Sequence, residues 1–166
     1  MILAIDVDYS DNTALVAGVL FKSWDDIEPY NTYTSIINEV NEYHPGSFYK
    51  RELPCILELL EEHNLKPDII VVDGYVYLDG VSIPGLGKYL YDALDEKTIV
   101  IGVAKGPFKD IGSEYALYRG DSKKALYVTS VGISLQCAIK RISSMNGKYR
   151  IPDLLKKVDQ VCRGRC

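Results

Sequence analysis

The chain has 166 residues, of which 47% are hydrophobic and 25% charged, and its formal net charge is −4. These values predict a single domain over residues 1–166 that buries a core without a disulfide framework. The apolar runs fall short of the roughly 20 residues of a membrane helix, and the first residues lack a secretory pattern. We therefore expect a cytoplasmic protein with reduced thiols. Zinc is not expected, because no CxxC pair or suitably spaced histidine accompanies the cysteines, which are Cys55, Cys137, Cys162 and Cys166.

The charge is distributed unevenly along the chain. Residues 119–166 hold 11 Lys and Arg against three Asp, a balance of +8, which leaves −12 for residues 1–118. Such asymmetry is compatible with a polyanion-binding face beside an acidic face that attracts cations. A solvated basic terminal helix accounts for the same numbers, so charge alone leaves both interpretations open.

The first part of the sequence predicts a three-stranded meander followed by a helix. Ile2–Val7 and Ala14–Phe21 are apolar runs separated by a short polar turn, and Tyr30–Ile37 repeats Thr, Tyr and Ile. A Pro-Gly loop follows. Apolar residues then recur at helical spacing between charged ones, at Leu53, Ile56, Leu57, Leu59 and Leu60.

Strands and helices alternate in the rest of the sequence. Ile69–Val72 and Thr98–Val103 lack alternation and therefore predict fully buried strands, with a helix at Leu86–Leu94 between them. Two more strands are predicted at 114–118 and 125–130, before a closing helix at 133–143. A meander that leads into such alternation predicts an α/β fold with a mixed central sheet flanked by helices.

Three carboxylates occupy conspicuous positions in this pattern. Asp6 lies inside the first apolar strand, Asp73 ends the central buried strand, and Glu52 opens the first helix. If the two strands are neighbours, the aspartates project toward one another and Glu52 reaches them from the helix start. Like charges so close do not ionise together without a cation, and magnesium suits carboxylate oxygens. Taken singly, Asp73 also fits an ordinary Asp-Gly turn, and Glu52 fits a charge favoured at a helix start.

The order of several short motifs resembles that of endonuclease V. The motifs are Ile5-Asp6-Val7-Asp8-Tyr9, Tyr43-His44-Pro45-Gly46, Arg51-Glu52-Leu53-Pro54, Val72-Asp73-Gly74, Gly102-Val103-Ala104-Lys105 and Tyr149-Arg150-Ile151-Pro152. The resemblance spans nearly the whole chain. It implies a ribonuclease H-like fold and a Mg²⁺-dependent endonuclease, with Mn²⁺ as a possible substitute. The implied substrate is DNA or RNA, cleaved at a phosphodiester near inosine, the product of adenine deamination.

The resemblance also implies roles for the acidic cluster. Asp6, Glu52 and Asp73 would bind the metal and, together with Lys105, would carry the chemistry. Metal-assisted hydrolysis needs such carboxylates to hold the cation that activates water, and a lysine beside them to hold a phosphate. Without the resemblance, Lys105 would be an ordinary exposed lysine at a strand end.

Nucleic-acid contacts follow from the same resemblance. The loop of Tyr43, His44, Pro45 and Gly46 would act as a wedge that separates the strands at the lesion. Gly74 would let the backbone approach the extruded base closely. Phosphate contacts are expected from Lys123, Lys124, Lys148 and Arg150, although each also fits an ordinary basic surface residue.

The sequence departs from the family pattern in three ways. We expect a short member without the usual N-terminal helical extension, and no histidine follows His63, so the one expected before the last helix is missing. The histidine after the Asp-Gly motif is also absent, and Asp79 near that place could replace it or simply be solvated. Three functions stay open: an active inosine-directed nuclease, a weak or inactive member that binds nucleic acid or protein, and a nuclease that prefers branched strands.

Overall fold

The computed structural model describes residues 1–40 and 49–164, which form a mixed seven-stranded sheet with helices on both faces. The strands are β1 (Ile2–Ser10), β2 (Thr13–Phe21), β3 (Asn31–Ile37), β4 (Ile69–Asp73), β5 (Ile99–Ala104), β6 (Ala116–Leu117) and β7 (Leu126–Val131). The helices are α1 (Tyr49–Glu62), α2 (Leu86–Ala93), α3 (Leu135–Ser144) and α4 (Asp153–Cys162). No helix within the described ranges has the length and apolar character needed to cross a membrane.

The strands lie in the order β3-β2-β1-β4-β5-β7-β6. β1 is parallel to β4 and β4 is parallel to β5, whereas the other neighbours are antiparallel. The sequence-based prediction of a meander followed by alternating helix and strand is confirmed, and with it the fold class. The parallel pairs place the carboxyl ends of the three central strands at one edge of the sheet.

Alternation along β1 assigns each side chain to one face of the sheet. Leu3 and Ile5 belong to the core beneath α1 and α2, and Ile2 and Ala4 belong to the core beneath α3 and α4. Asp6 continues the second row, so its carboxylate lies on the face covered by α4. Both helix pairs are required to exclude water, because each covers a separate half of the core.

The chain leaving β4 passes close over β5. Gly74 has a φ of 144°, and a Cβ added to Gly102 would lie 2.5 Å from the Gly74 carbonyl oxygen and 2.8 Å from Thr129 Oγ1. Thr129 Oγ1 in turn accepts a hydrogen bond of 2.8 Å from the Val76 N–H. Only a glycine at position 102 permits this approach, which fixes the path of the backbone directly after Asp73.

Of the strand predicted at 114–118, only Ala116–Leu117 forms a strand. Ser113–Tyr115 forms a 3-10 turn, and β6 pairs with β7 at only two positions. The reason is the Tyr115 ring, which packs so closely on Gly80 that an added Cβ there would lie 2.2 Å from the ring. This contact takes Tyr115 out of the plane of the sheet, so the strand begins only after it.

The C-terminal helices also differ from the prediction. α3 begins at Leu135 because Ser134 caps it, with its Oγ accepting a hydrogen bond of 3.2 Å from the Cys137 N–H. α4 was not predicted as an element. Its apolar residues Leu154 and Val158 are buried against the sheet, and the helix covers β1 and β2.

Candidate metal centre

Asp6 and Asp73 lie side by side at the carboxyl ends of two parallel strands. The register of β1 and β4 pairs Ile5 with Val72, and each aspartate is the residue that follows this pair. Lys105 follows β5, the next strand, and its Nζ lies 3.5 Å from Asp73 Oδ2. The edge formed by the carboxyl ends of parallel strands is a common place for ligand sites.

Glu52, in the first turn of α1, interacts electrostatically with both aspartates. Its side chain is buried, with only 7% exposed, and both Asp6 and Asp73 act on it electrostatically. The preceding residue, Arg51, places its guanidinium 3.6 Å from the centroid of the Tyr9 ring at the end of β1. This cation–π contact holds the start of α1 against β1 and so directs Glu52 toward the aspartates.

Burial and neighbouring negative charge oppose the ionisation of Asp6 and Glu52. Burial, followed by the charge of Asp73, raises the pKa of Asp6 to about 7, against the lowering effects of the Val7 N–H and Lys105. Burial, followed by the charges of Asp6 and Asp73, raises the pKa of Glu52 to about 8. Ionisation of Asp6 and Glu52 is therefore unfavourable unless a cation balances their charge. The oxygen donors of Asp6, Glu52 and Asp73 suit a hard divalent cation such as Mg²⁺ or Mn²⁺.

A fourth carboxylate, missed by the sequence analysis, comes from α4. Burial raises the pKa of Asp159, but hydrogen bonds with Arg163 and Asp6, together with the charge of Lys105, bring it below its ordinary value. The Arg163 Nε donates to Asp159 Oδ1 over 3.0 Å. Ligand atoms of Asp6, Asp159 and Cys162 lie within 4.8 Å of one another. The side of Asp6 that faces α4 can therefore also contribute to holding a cation.

An apolar cavity lies next to the carboxylates. It measures about 30 Å³ and is enclosed between β1, β4, β5 and α4, with Ile151, Leu155 and Val158 among its walls. Asp6, Asp73 and Lys105 also line it. This apolar wall keeps the local dielectric low, which strengthens the repulsion among the carboxylates and their attraction for a cation.

Comparison with known proteins gives one consistent result. Residues 1–130 match the family model described as Endonuclease V. Endonuclease V of Trichormus variabilis is 29% identical over 99% of this chain and 82% of its own length. That of Dictyoglomus thermophilum is 31% identical over 89% of this chain and 72% of its own length. The chain belongs to the endonuclease V family.

Solved structures of endonuclease V share the fold. The enzyme from Streptomyces avermitilis is 28% identical, with a TM-score of 0.77 over 98% of this chain and 79% of that one. Endonuclease V of Ciona intestinalis, 21% identical with a TM-score of 0.78, covers 98% of this chain and 83% of that one. It was crystallised with a 23mer DNA containing an inosine followed by a ribo-adenosine. The fold is thus ribonuclease H-like, and the family identifies the chain as a nuclease, a type of hydrolase.

The structure places the four residues that the endonuclease V motifs single out for chemistry, Asp6, Glu52, Asp73 and Lys105, within electrostatic reach of one another. The ligand atoms of Asp6, Glu52 and Asp73 do not all lie within 4.8 Å of one another, whereas those of Asp6, Asp159 and Cys162 do. Gly74 directly follows the cluster. The wedge loop of Tyr43, His44, Pro45 and Gly46 lies outside the described residues.

The basic residues expected to contact phosphates differ in their surroundings. Lys123 and Lys124 are exposed on the turn between β6 and β7. Arg150 is half-buried, and its Nη1 donates to the carbonyl oxygens of Lys105, over 2.8 Å, and Ala125, over 3.2 Å. Its guanidinium therefore ties the segment before α4 to the strand end that carries Lys105.

Asp79, considered as a replacement for a family histidine, is engaged in its own loop. Its Oδ1 accepts hydrogen bonds from the N–H groups of Val81, Ser82 and Ile83, and its Oδ2 accepts from the Ser82 hydroxyl. These bonds hold the pKa of Asp79 far below its ordinary value. The side chain closes the loop between β4 and α2, which explains an acid at this position without a metal.

The metal-free protein is expected to lose stability as the pH rises from about 4 to about 8. The pKa values of Asp6 and Glu52 are raised in the folded state to about 7 and about 8, so the folded state binds more protons than the unfolded chain in this interval. Stability is therefore full below the unfolded pKa values and declines until the folded values are passed, by on the order of a few kcal/mol. Thermal melting in EDTA across this range measures the decline.

Two variants sharpen this measurement. Asp6→Asn should flatten the decline, because it removes one of the two titrating groups and relieves the other. Asp79→Asn should leave the slope unchanged, because Asp79 titrates below this interval. Saturating Mg²⁺ should restore stability at the alkaline end. A melting temperature independent of pH in EDTA would contradict the proposed proximity of the carboxylates.

Proposed function

We propose that this protein is a magnesium-dependent endonuclease that hydrolyses a phosphodiester bond near inosine in DNA or RNA, in the repair or processing of nucleic acid. The observation that carries the proposal is the placement of Asp6 and Asp73 at the ends of two neighbouring parallel strands, with buried Glu52 acting electrostatically on both; the raised pKa values of Asp6 and Glu52 show that their ionisation favours a bound cation. Membership of the endonuclease V family supports the reaction class. The inosine-containing DNA bound to the Ciona intestinalis relative supports the substrate.

The carboxylates suit Mg²⁺, with Mn²⁺ as a substitute. Asp6 and Asp73 would hold the ion from neighbouring strands, and Glu52 would hold it from α1. When bound, the ion supplies a water of lowered pKa and neutralises charge on the scissile phosphate. Asp159 lies beside Asp6, and its carboxylate would bind the ion or one of its waters.

Lys105 supports the same reaction from the end of β5, beside Asp73. Its ammonium lies 3.5 Å from Asp73 Oδ2, and its side chain is 40% exposed. The contact with Asp73 keeps the ammonium at the site, and its partial exposure leaves it accessible to a phosphate from solvent. A point charge there would offset the repulsion between the acidic cluster and the nucleic-acid backbone.

We assign substrate contacts outside the cluster to the residues that the family motifs indicate. Tyr43, His44, Pro45 and Gly46 would separate the strands at the lesion. Gly74 has no side chain to block a base that approaches the end of β4. Lys123 and Lys124 would contact phosphates directly, whereas Arg150 would act mainly by holding the backbone near Lys105.

The test is cleavage of labelled strands that differ only in one inosine. DNA and RNA versions are incubated with Mg²⁺, with Mn²⁺ or with EDTA, and the products are separated by size. Metal-dependent nicking of the inosine strand, and little nicking of its unmodified counterpart, is the expected result. Binding without cutting in either metal would favour a nucleic-acid-binding module instead. If the protein cut branched strands in preference to inosine strands, its substrate would be branched nucleic acid instead of inosine-containing nucleic acid.

Asp159→Asn is expected to lower the cleavage rate about 10- to 100-fold, because it removes a carboxylate charge beside a metal ligand. Asp92→Asn, which alters an exposed carboxylate paired with Lys88 on α2, is the matched control and should cut like the unaltered protein. The comparison is made under single-turnover conditions over a range of Mg²⁺ concentrations. Identical metal dependence for Asp159→Asn and the unaltered protein would remove Asp159 from the site.

A further inference from the structure

The segment between α3 and α4 is held in a fixed shape by one buried guanidinium. Arg119 is only 6% exposed, and its two terminal nitrogens donate to four backbone carbonyls of this segment. The acceptors and distances are Met145, 2.7 Å; Gly147, 3.1 Å; Tyr149, 2.7 Å; and Arg150, 3.2 Å. A loop whose carbonyls converge on a single side chain has little freedom to move. We call residues 145–150 the platform.

The platform is joined to the metal centre. Arg150 donates to the carbonyl oxygen of Lys105 over 2.8 Å, and the Lys105 ammonium lies 3.5 Å from Asp73. Ile151, the next residue, lines the cavity that Asp6 and Asp73 also line. The platform therefore lies beside the place where the scissile phosphate would be held.

The platform presents an aromatic ring and a positive charge to solvent. Tyr149 is 63% exposed, and the Lys148 ammonium lies 5.4 Å from the centroid of its ring. Together with Arg150, they line a surface groove of about 590 Å³, whose other wall is formed by Asp121 and Ser122. An exposed ring contributes little to the core, so packing does not explain why it stands on such a firmly held backbone.

The surrounding charge distinguishes the pair of Tyr149 and Lys148 from a similar pair of an exposed tyrosine and a lysine elsewhere on the surface. Tyr30 is 60% exposed and has the Lys22 ammonium 4.4 Å from its ring centroid. The groove at Tyr30, however, is lined by three acids, Asp25, Asp26 and Glu28. The groove at Tyr149 has one acid and two basic residues and lies in the part of the chain with a balance of +8. A polyanion is favoured at the second groove and disfavoured at the first.

We propose that Tyr149 and Lys148 form a binding subsite for an unpaired nucleotide of the strand that is cut. The base would stack on the Tyr149 ring, and the Lys148 ammonium would meet the adjoining phosphate, as in proteins that bind single strands through aromatic rings in a basic groove. The subsite rests on the proposed nuclease function and extends it. The substrate would carry an unpaired nucleotide beside the scissile bond, and the platform would supply affinity that the acidic cluster cannot.

The test measures binding separately from cutting. Fluorescence anisotropy is recorded with labelled single-stranded inosine oligonucleotides, with Ca²⁺ replacing Mg²⁺ and gels confirming that the strand stays intact. Tyr149→Ala should weaken binding about 5- to 100-fold, the range for losing one stacked base. Tyr149→Phe should retain affinity because the ring remains, and Tyr30→Ala is the matched control that should bind normally. Thermal melting should be unchanged in Tyr149→Ala, because the side chain is mostly exposed.

Shortened oligonucleotides locate the subsite. Removing the nucleotides on one side of the inosine should abolish the difference between Tyr149→Ala and the unaltered protein, whereas removing the other side should preserve it. Equal affinity of Tyr149→Ala and the unaltered protein for the long strand would overturn the subsite, even if the enzyme cuts inosine strands. If the unaltered protein binds but never cuts, the nuclease function fails. In that event a loss of affinity in Tyr149→Ala would still support the subsite.

Discussion

Replacing Asp73 by asparagine is expected to abolish metal-dependent cleavage and, in the same molecule, to stabilise the metal-free fold. Asparagine keeps the shape of the side chain at the end of β4 but removes one of the charges that would hold the cation. Charge stabilisation by a bound metal contributes several kcal/mol to such reactions, so the rate should fall by about a thousandfold or more. The remaining carboxylates, Asp6 and Glu52, would lose a neighbour that raises the pKa of both.

The gain in stability should be on the order of 1 kcal/mol at neutral pH in EDTA, a rise of about 2–4 °C in Tm. The lost contact with Lys105 offsets little of this gain, because the two groups are 3.5 Å apart and each side chain is 40% exposed, so that solvent weakens the pair. Asp92→Asn again serves as control, with normal activity and no stabilisation. Opposite changes in activity and stability are typical of a charged site built for a ligand. A variant that is both inactive and less stable would instead indicate that Asp73 has a structural role.

Replacing Arg119 by methionine is expected to lower the free energy of unfolding by about 3–5 kcal/mol, because four backbone acceptors lose the charged donor that they share. Methionine fills a similar volume but cannot donate to the four carbonyls of residues 145–150. The loss corresponds to a fall in Tm of about 6–20 °C for a chain of this length. Arg119→Lys should recover only part of it, because an ammonium cannot reach all four acceptors.

Arg141→Met is the matched control for Arg119→Met. Arg141 is exposed in the last turn of α3, so its replacement removes the same charge without uncovering buried carbonyls. Urea unfolding of the three variants gives the free energies directly. If Arg119→Met unfolded at the same urea concentration as Arg141→Met, the carbonyls would not depend on the guanidinium and the platform would not be rigid.

The acidic cluster could be predicted because each of its members interrupts a local pattern. Asp6 stands in an apolar strand, Asp73 ends a run with no polar residue, and Glu52 precedes the apolar stripe of a helix. The parallel pairing of β1 and β4 then brings the first two together. What the sequence could not supply was the distance of Glu52 from the strands, since that depends on how α1 packs.

Asp159 was missed for an identifiable reason. The sequence-based prediction placed the missing histidine before the helix that is α3 in the structure. The additional carboxylate lies instead in α4, which was not predicted. A signal was present: Leu154, Leu155, Val158 and Cys162 recur at helical spacing, and Asp159 follows directly after one of them. An acid at the edge of an apolar helical stripe indicates a buried partner, here Asp6. The four carbonyls around Arg119 had no comparable signal, because a backbone acceptor leaves no trace in residue identity.

The hydrogen bond between Asp6 and Asp159 joins the first strand to the last helix of the described chain. Only the packing of α4 over β1 brings these two carboxylates together, because they stand near opposite ends of the sequence. A molecule in which α4 is detached from β1 would have Asp6, Glu52 and Asp73 without the Asp159 carboxylate. The complete acidic site therefore depends on the packing of α4, so a change that loosens this helix should weaken cation binding even though the first three carboxylates are intact.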